Sequence, residues 1–135
     1  MLSQTPFYAQ SGGQSADEGK ISVPSTGSQA CVYDVFKPIG NLFVHKIKVL
    51  KGSFEEGAEV FSVINKERRK QIQRHHTATH LLHKALRELL GDHITQAGSL
   101  VAPDYLRFDF THFSALKKED LKKIENRINS IVKLN

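Results

Sequence analysis

Polar and apolar residues alternate along the first half of the chain, and the period then changes. GKISVPSTGSQACVYDVFK (19–37) alternates, breaks at Pro24 and Gly27, and resumes through Val32, Tyr33 and Val35. NLFVHKIKVLKG (41–52) alternates through Leu42, Val44, Ile47 and Val49 and stops at Gly52, and AEVFSVI (58–64) is a third β-rich run. Period-two patterning turns one side of each strand to a core. Short strands separated by Gly and Pro turns predict a small antiparallel barrel or sandwich over residues 1–64.

At Asn65 the pattern becomes helical. Asn caps a helix start with its side-chain oxygen, and Glu67 in the first turn complements the helix dipole. Ile72, His76, Thr79, His83, Leu86 and Leu90 recur at steps of three and four, and Gly91 is a natural terminator. ITQAGSLVAP (94–103) and YLRFDFTHF (105–113) read as strands joined by the turn-forming Pro103-Asp104. Ser114 is placed to cap a last helix, whose stripe is Leu121, Ile124, Ile128 and Ile131. The fold class expected is α+β: a small N-terminal β-barrel over 1–64, then an incomplete α+β core over 65–135. That second part holds a long His-bearing helix, two or more strands and a C-terminal helix. With no strand after Ile131 for the stripe to cover, it reads as an interrupted piece of a longer protein.

Composition narrows the class. No apolar run nears the roughly 18 residues a membrane helix needs, and the N-terminus lacks a signal peptide's basic start and apolar stretch. Cys31 is the single cysteine, so no intrachain disulfide forms, which suits a reducing cytoplasm. A net charge of +5 permits a polyanionic partner without requiring one. The cations concentrate in NKERRKQIQRHH (65–76), where Lys66, Arg68, Arg69, Lys70 and Arg74 precede the histidines. Taken by itself, that run is better explained by a solvated helix start than by phosphate contacts.

RHHTATHLLHKAL (74–86) brings His76, His80 and His83 to one side of a helix, because each residue advances about 100°. Imidazoles one turn apart can share a zinc ion, so His76 and His80 form half a site. Zinc proteases place Glu directly after the first His; here Thr77 stands there, which disfavours that chemistry. His76 and His83 lie about 10.5 Å apart along the axis, too far to converge easily on one ion. His83 is expected to pack or to hydrogen-bond behind the ligands, and Cys31 could join only through a fortunate fold. On spacing alone, a zinc half-site and a structural histidine face both remain open.

TPFYAQSGGQ (5–14), HHTATHLLHKAL (75–86) and ITQAGSLVAPDYLRFDFTHF (94–113), in that order, resemble the editing domain of alanyl-tRNA synthetases and their free-standing relatives. The resemblance covers nearly the whole chain. It implies hydrolysis of the ester of alanine-specific tRNA mischarged with serine or glycine. It implies Zn2+ held by His76 and His80 with a Cys-x-x-x-His pair further along, and catalytic-pocket roles for Thr79 and Gln96. Gly12, Gly13 and Gln14 match the loop that approaches the substrate end. Lys66, Arg68, Arg69 and Arg74 become candidates for phosphate contacts to the tRNA(Ala) acceptor end. No cysteine follows residue 113 and the last histidine is His112, so the second half of the zinc set is missing. The expectation is an editing-domain segment, weakly active or inactive alone, whose partners include the remainder of the synthetase chain. A non-catalytic tRNA-binding β-barrel module is the alternative.

Overall fold

The computed structural model describes residues 2–134. Four strands, β1 (Gly19–Val23), β2 (Ser28–Phe36), β3 (Val44–Lys51) and β4 (Phe61–Ile64), precede a 25-residue helix, α1 (Lys66–Leu90). A hairpin of β5 (Gln96–Val101) and β6 (Leu106–Phe110) follows, then α2 (Lys118–Lys133). The molecule is α+β.

The first four strands pair antiparallel in the order β3-β2-β1-β4. Ile21, Val23, Ala30, Val32 and Val35 are all buried. Val32 and Val35 are three apart, a spacing that would send them to opposite faces of a regular strand. The pairing shifts register between Val32 and Asp34, so one extra residue lets both valines point inward. Phe7, Ala9 and Ala16, from the segment before β1, complete this core, with Phe43, Ile47, Phe54 and Ile64 at its margin.

Helix α1 starts where the polar pattern places it. The Asn65 side chain accepts from the Arg68 N–H at 3.1 Å, and the Asn65 N–H donates to the Glu18 carbonyl at 2.7 Å. The helix ends at Gly91, whose N–H reaches the Arg87 carbonyl and whose φ of 117° is open to glycine. A second core gathers Ala85, Leu86, Ile94 and Ile124, with Phe108 and Phe110 of β6 and Leu82, Leu90, Leu116 and Ile128 around it. Arg127 donates to Glu88 at 2.7 Å and clips α2 to α1.

Helix α2 corrects one expectation. Its cap is Lys117, not Ser114, and the Asp120 carboxylate accepts from the Lys117 N–H at 3.2 Å. Leu116 is drawn onto the second core, and residues 114–116 form a loop before the first turn. Of the expected stripe, Ile124 is buried and Ile128 and Ile131 are half-buried, while Leu121 stays exposed.

Candidate functional site

Angular bookkeeping on α1 separates its histidines. Taking Ile72 as zero and about 100° per residue, Thr79 and Leu86 fall at about −20° and −40°, His83 at +20°, His76 at +40° and His80 at +80°. Ile72, Thr79 and Leu86 are buried, His83 is half-buried, and His76 and His80 are exposed. The histidines therefore climb out of the buried stripe along one edge. Thr79 donates its hydroxyl to the His75 carbonyl at 2.8 Å, which leaves its oxygen lone pairs free to accept. His83 packs on Phe108 with ring centroids 5.1 Å apart, and its Nε2 is buried without a hydrogen-bond partner. His83 thus packs rather than hydrogen-bonds.

The His76 and His80 rings stand 4.9 Å apart, one turn from each other. His76 presents Nδ1 to the Gln14 side-chain oxygen at 2.6 Å, across 62 residues of sequence. The glycine-rich loop is thus delivered to the histidine edge by backbone pairing. The Val101 N–H bonds the Gly13 carbonyl at 2.8 Å and the Ser15 N–H bonds the Val101 carbonyl at 2.9 Å, so Gln14 lies beside β5. Gly13 has φ +82°, and a Cβ there would run into the carbonyl oxygen and Oγ of Ser99. Gln96 donates its amide to that same Ser99 Oγ at 3.2 Å. Gly13, Gln14, His76, His80 and Gln96 are therefore linked through Ser99 and one imidazole, while Gly12 is exposed with open space beside it.

As a metal half-site the geometry fits in part. Imidazoles that bind zinc commonly donate their second nitrogen to an oxygen acceptor, and the Gln14 contact has that form, while His76 Nε2 and the His80 ring make no hydrogen bond among the described residues. Two ligands do not complete a zinc set. Among the described residues no three His, Cys, Asp or Glu gather around one point. Cys31 lies on β2 opposite Lys20, away from this edge.

The basic run divides in two. Arg69 forms a bidentate pair with Asp17, at 2.8 Å from Nε to Oδ1, and also donates to the Pro6 carbonyl at 3.0 Å. Asp17 is buried, and its hydrogen bond raises the Arg69 pKa above its ordinary value. Arg68 pairs with Glu18 at 3.1 Å. Lys66 and Arg74 remain exposed. This Asp17-Glu18 to Arg68-Arg69 clamp was not anticipated. The adjacent acids were a visible signal, but 52 residues of separation gave no spacing rule to connect them. His75 and Ser99 were missed as well; His75 donates Nδ1 to the Ala102 carbonyl at 2.7 Å and ties the hairpin to α1.

The chain is similar to known proteins. The family model described as tRNA synthetases class II (A) matches residues 1–68. The chain belongs to that family. Over all 135 residues it is 66% identical to an Alanine--tRNA ligase of Endomicrobium trichonymphae, covering 15% of that relative. It is 49% identical over 131 residues, 97% of the chain, to the Alanine--tRNA ligase of Carboxydothermus hydrogenoformans, again covering 15% of the relative. The Alanine--tRNA ligase of Myxococcus xanthus matches at 47% over the whole chain and 15% of its own length. The chain thus spans about 15% of the length of these curated relatives. No helix among the described residues is long and apolar enough to cross a membrane.

Proposed function

We propose that this segment is the first part of the editing unit of an alanyl-tRNA synthetase, with a β subdomain over 1–64 and the start of the deacylase core over 65–135. The observation that supports it most is the meeting of three sequence motifs, the first of them more than sixty residues from the other two, at Gln14, His76 and Ser99. The reaction is hydrolysis of the ester of tRNA(Ala) mischarged with serine or glycine, carried out in the cytoplasm by the longer parent. Alone, the segment is weakly active or inactive.

In this reading His76 and His80 hold Zn2+ together with ligands from the remainder of the synthetase chain. Bound zinc supplies Lewis-acid polarisation or an activated water. The chain's own groups bind and orient. The Gly12–Gly13 turn lets backbone come close to the tRNA 3′ end, because neither residue carries a side chain. Gln96 and Thr79 meet the hydroxyl of a seryl group, with the Thr79 oxygen as acceptor. A pocket that pairs that hydroxyl leaves its own polar groups unpaired with alanine, at a cost of about 1–3 kcal/mol each. Lys66 and Arg74 contact acceptor-stem phosphates, which makes binding weaken with salt. Arg68 and Arg69 contribute to that contact only by releasing Glu18 and Asp17.

The test is made in the full-length parent. His76→Ala and Gln96→Ala are expected to lower hydrolysis of Ser-tRNA(Ala) by about 100-fold or more, in line with lost metal support and transition-state contacts, while alanine activation is unchanged. Unchanged hydrolysis in both variants overturns the reading. A loss confined to tRNA affinity, with turnover intact, assigns the segment to non-catalytic tRNA binding instead.

A further inference from the structure

The Gln14–His76 contact carries more than proximity. The amide oxygen of Gln14 faces His76 Nδ1 at 2.6 Å, and a carbonyl oxygen can only accept, so Nδ1 holds the proton. In a neutral imidazole the other nitrogen is then the bare one. His76 Nε2 is therefore the lone-pair nitrogen, on the edge that also carries the His80 ring 4.9 Å away.

What holds Gln14 in place is backbone. Its neighbours bond Val101 from both sides, through the Gly13 carbonyl at 2.8 Å and the Ser15 N–H at 2.9 Å. Ser11 and Gln14 also bond each other across the turn, Gln14 N–H to Ser11 carbonyl at 2.9 Å. Gly13 is packed so closely on Ser99 that no side chain fits. The loop thus rests on β5, and its position relative to α1 is kept by the His75 bond to Ala102 at 2.7 Å, one residue beyond β5. An amide held this way selects one tautomer and one ring orientation.

We propose that Gln14 is a positioning residue that fixes His76 in the Nδ1–H tautomer and presents its Nε2 as a ligand nitrogen. The proposal rests on the metal half-site reading for its purpose but not for its geometry. Glutamine does this without adding charge beside the ion, whereas a carboxylate at the same place would also donate electron density to the ring.

The experiment is a long-range 1H–15N correlation on the 15N-histidine-labelled 135-residue chain, without metal, at pH about 8, above the ordinary imidazole range. The expected spectrum has His76 with Nδ1 protonated and Nε2 bare. Gln14→Leu, which keeps the bulk and removes the acceptor, is expected to release His76 to a tautomer mixture, and Gln14→Glu to restore Nδ1–H. An Nε2–H tautomer in the unaltered chain, or no change in Gln14→Leu, overturns the proposal. The spectrum of the unaltered chain decides by itself should a variant fail to fold. A zinc titration of the full-length parent, which supplies the remaining ligands, separates the two readings: Gln14→Leu is expected to weaken binding by about tenfold or more, and Gln14→Glu to recover it. Absence of zinc binding in every form of the parent overturns the half-site reading while leaving the tautomer result to decide the role of Gln14.

Discussion

The two cores of this chain are built differently. In the first, Phe7, Ala9, Ala16, Ile21, Ala30, Val32 and Val35 are fully buried against one face of a four-stranded sheet. In the second, Ala85, Leu86, Ile94 and Ile124 are fully buried, and half-buried side chains such as Phe108 and Phe110 surround them on a two-stranded hairpin. A sheet face closes over a core by continuous alternation, whereas two helices on one hairpin leave their outer edges open. The open edge of α1 is where His76 and His80 stand, and the loop that reaches them comes from the better-closed unit. The site is therefore a seam, supported by the strong core and exposed by the weak one.

The largest expected effect breaks that contrast directly. Leu86→Ala removes one of the few fully buried side chains of the second core and is expected to cost about 3 kcal/mol. Hydrogen exchange should show protection lost mainly in α1, α2 and the hairpin, with β1–β4 less affected. Equal loss throughout would mean that the two cores melt as one unit.

The clamp is next. Arg69→Ala leaves the carboxylate of Asp17 buried with the Tyr8 N–H, at 2.6 Å, as its remaining donor. Fully buried pairs cost about 3–5 kcal/mol when one partner is removed. The Arg69 side chain is 28% exposed, so about 2 kcal/mol is expected in a denaturant melt. A change within about 0.5 kcal/mol, the range of ordinary surface substitutions, would show that the Arg69–Asp17 pair does not seat the helix on the sheet unit.

The smallest effect is a pH slope in the first core. Burial lowers the His45 pKa below 6.5. Its Nε2 meets Thr5 Oγ1 at 2.7 Å, and its Nδ1 is buried without a partner, so a second ring proton would have no acceptor. The unfolded chain then binds more protons than the folded one just below pH 6.5, and stability rises with pH through that window. Thermal melts should show stability falling below about pH 6.5, and His45→Gln should flatten that part of the curve. An unchanged slope would place the acid sensitivity elsewhere.

Local chemistry made most of the elements readable. Asn65 and Gly91 bracket α1 because capping depends on side-chain oxygens and open φ values that single residues declare. The start of α2 was misplaced because Ser114 has cap chemistry, while the pull of Leu116 onto a distant core is invisible along the chain. His76 and His80 were legible from helical spacing, since one turn is a local distance. The contact of His76 with its acceptor Gln14, and that of Arg69 with Asp17, were not, because both depend on how β5 and β1 deliver remote segments. Thr79 differs: its bond to the His75 carbonyl lies within one helical turn, yet spacing marks it only as polar and does not say whether a buried hydroxyl donates to its own helix or to a ligand.

The docking of the Gly13–Ser15 loop on Val101 has a consequence in time. A ribosome adds roughly 5–20 residues per second, so the loop waits on the order of ten seconds after its own synthesis before Val101 exists to receive it. During that interval the first sheet can form, the histidine helix can grow, and Gln14 still has no fixed address. A nascent chain halted between Leu90 and Gln96 would carry every candidate ligand and loop residue on this side of the site except Gln96, yet no assembled site. Completion of β5 is the event that turns these separate pieces into one place.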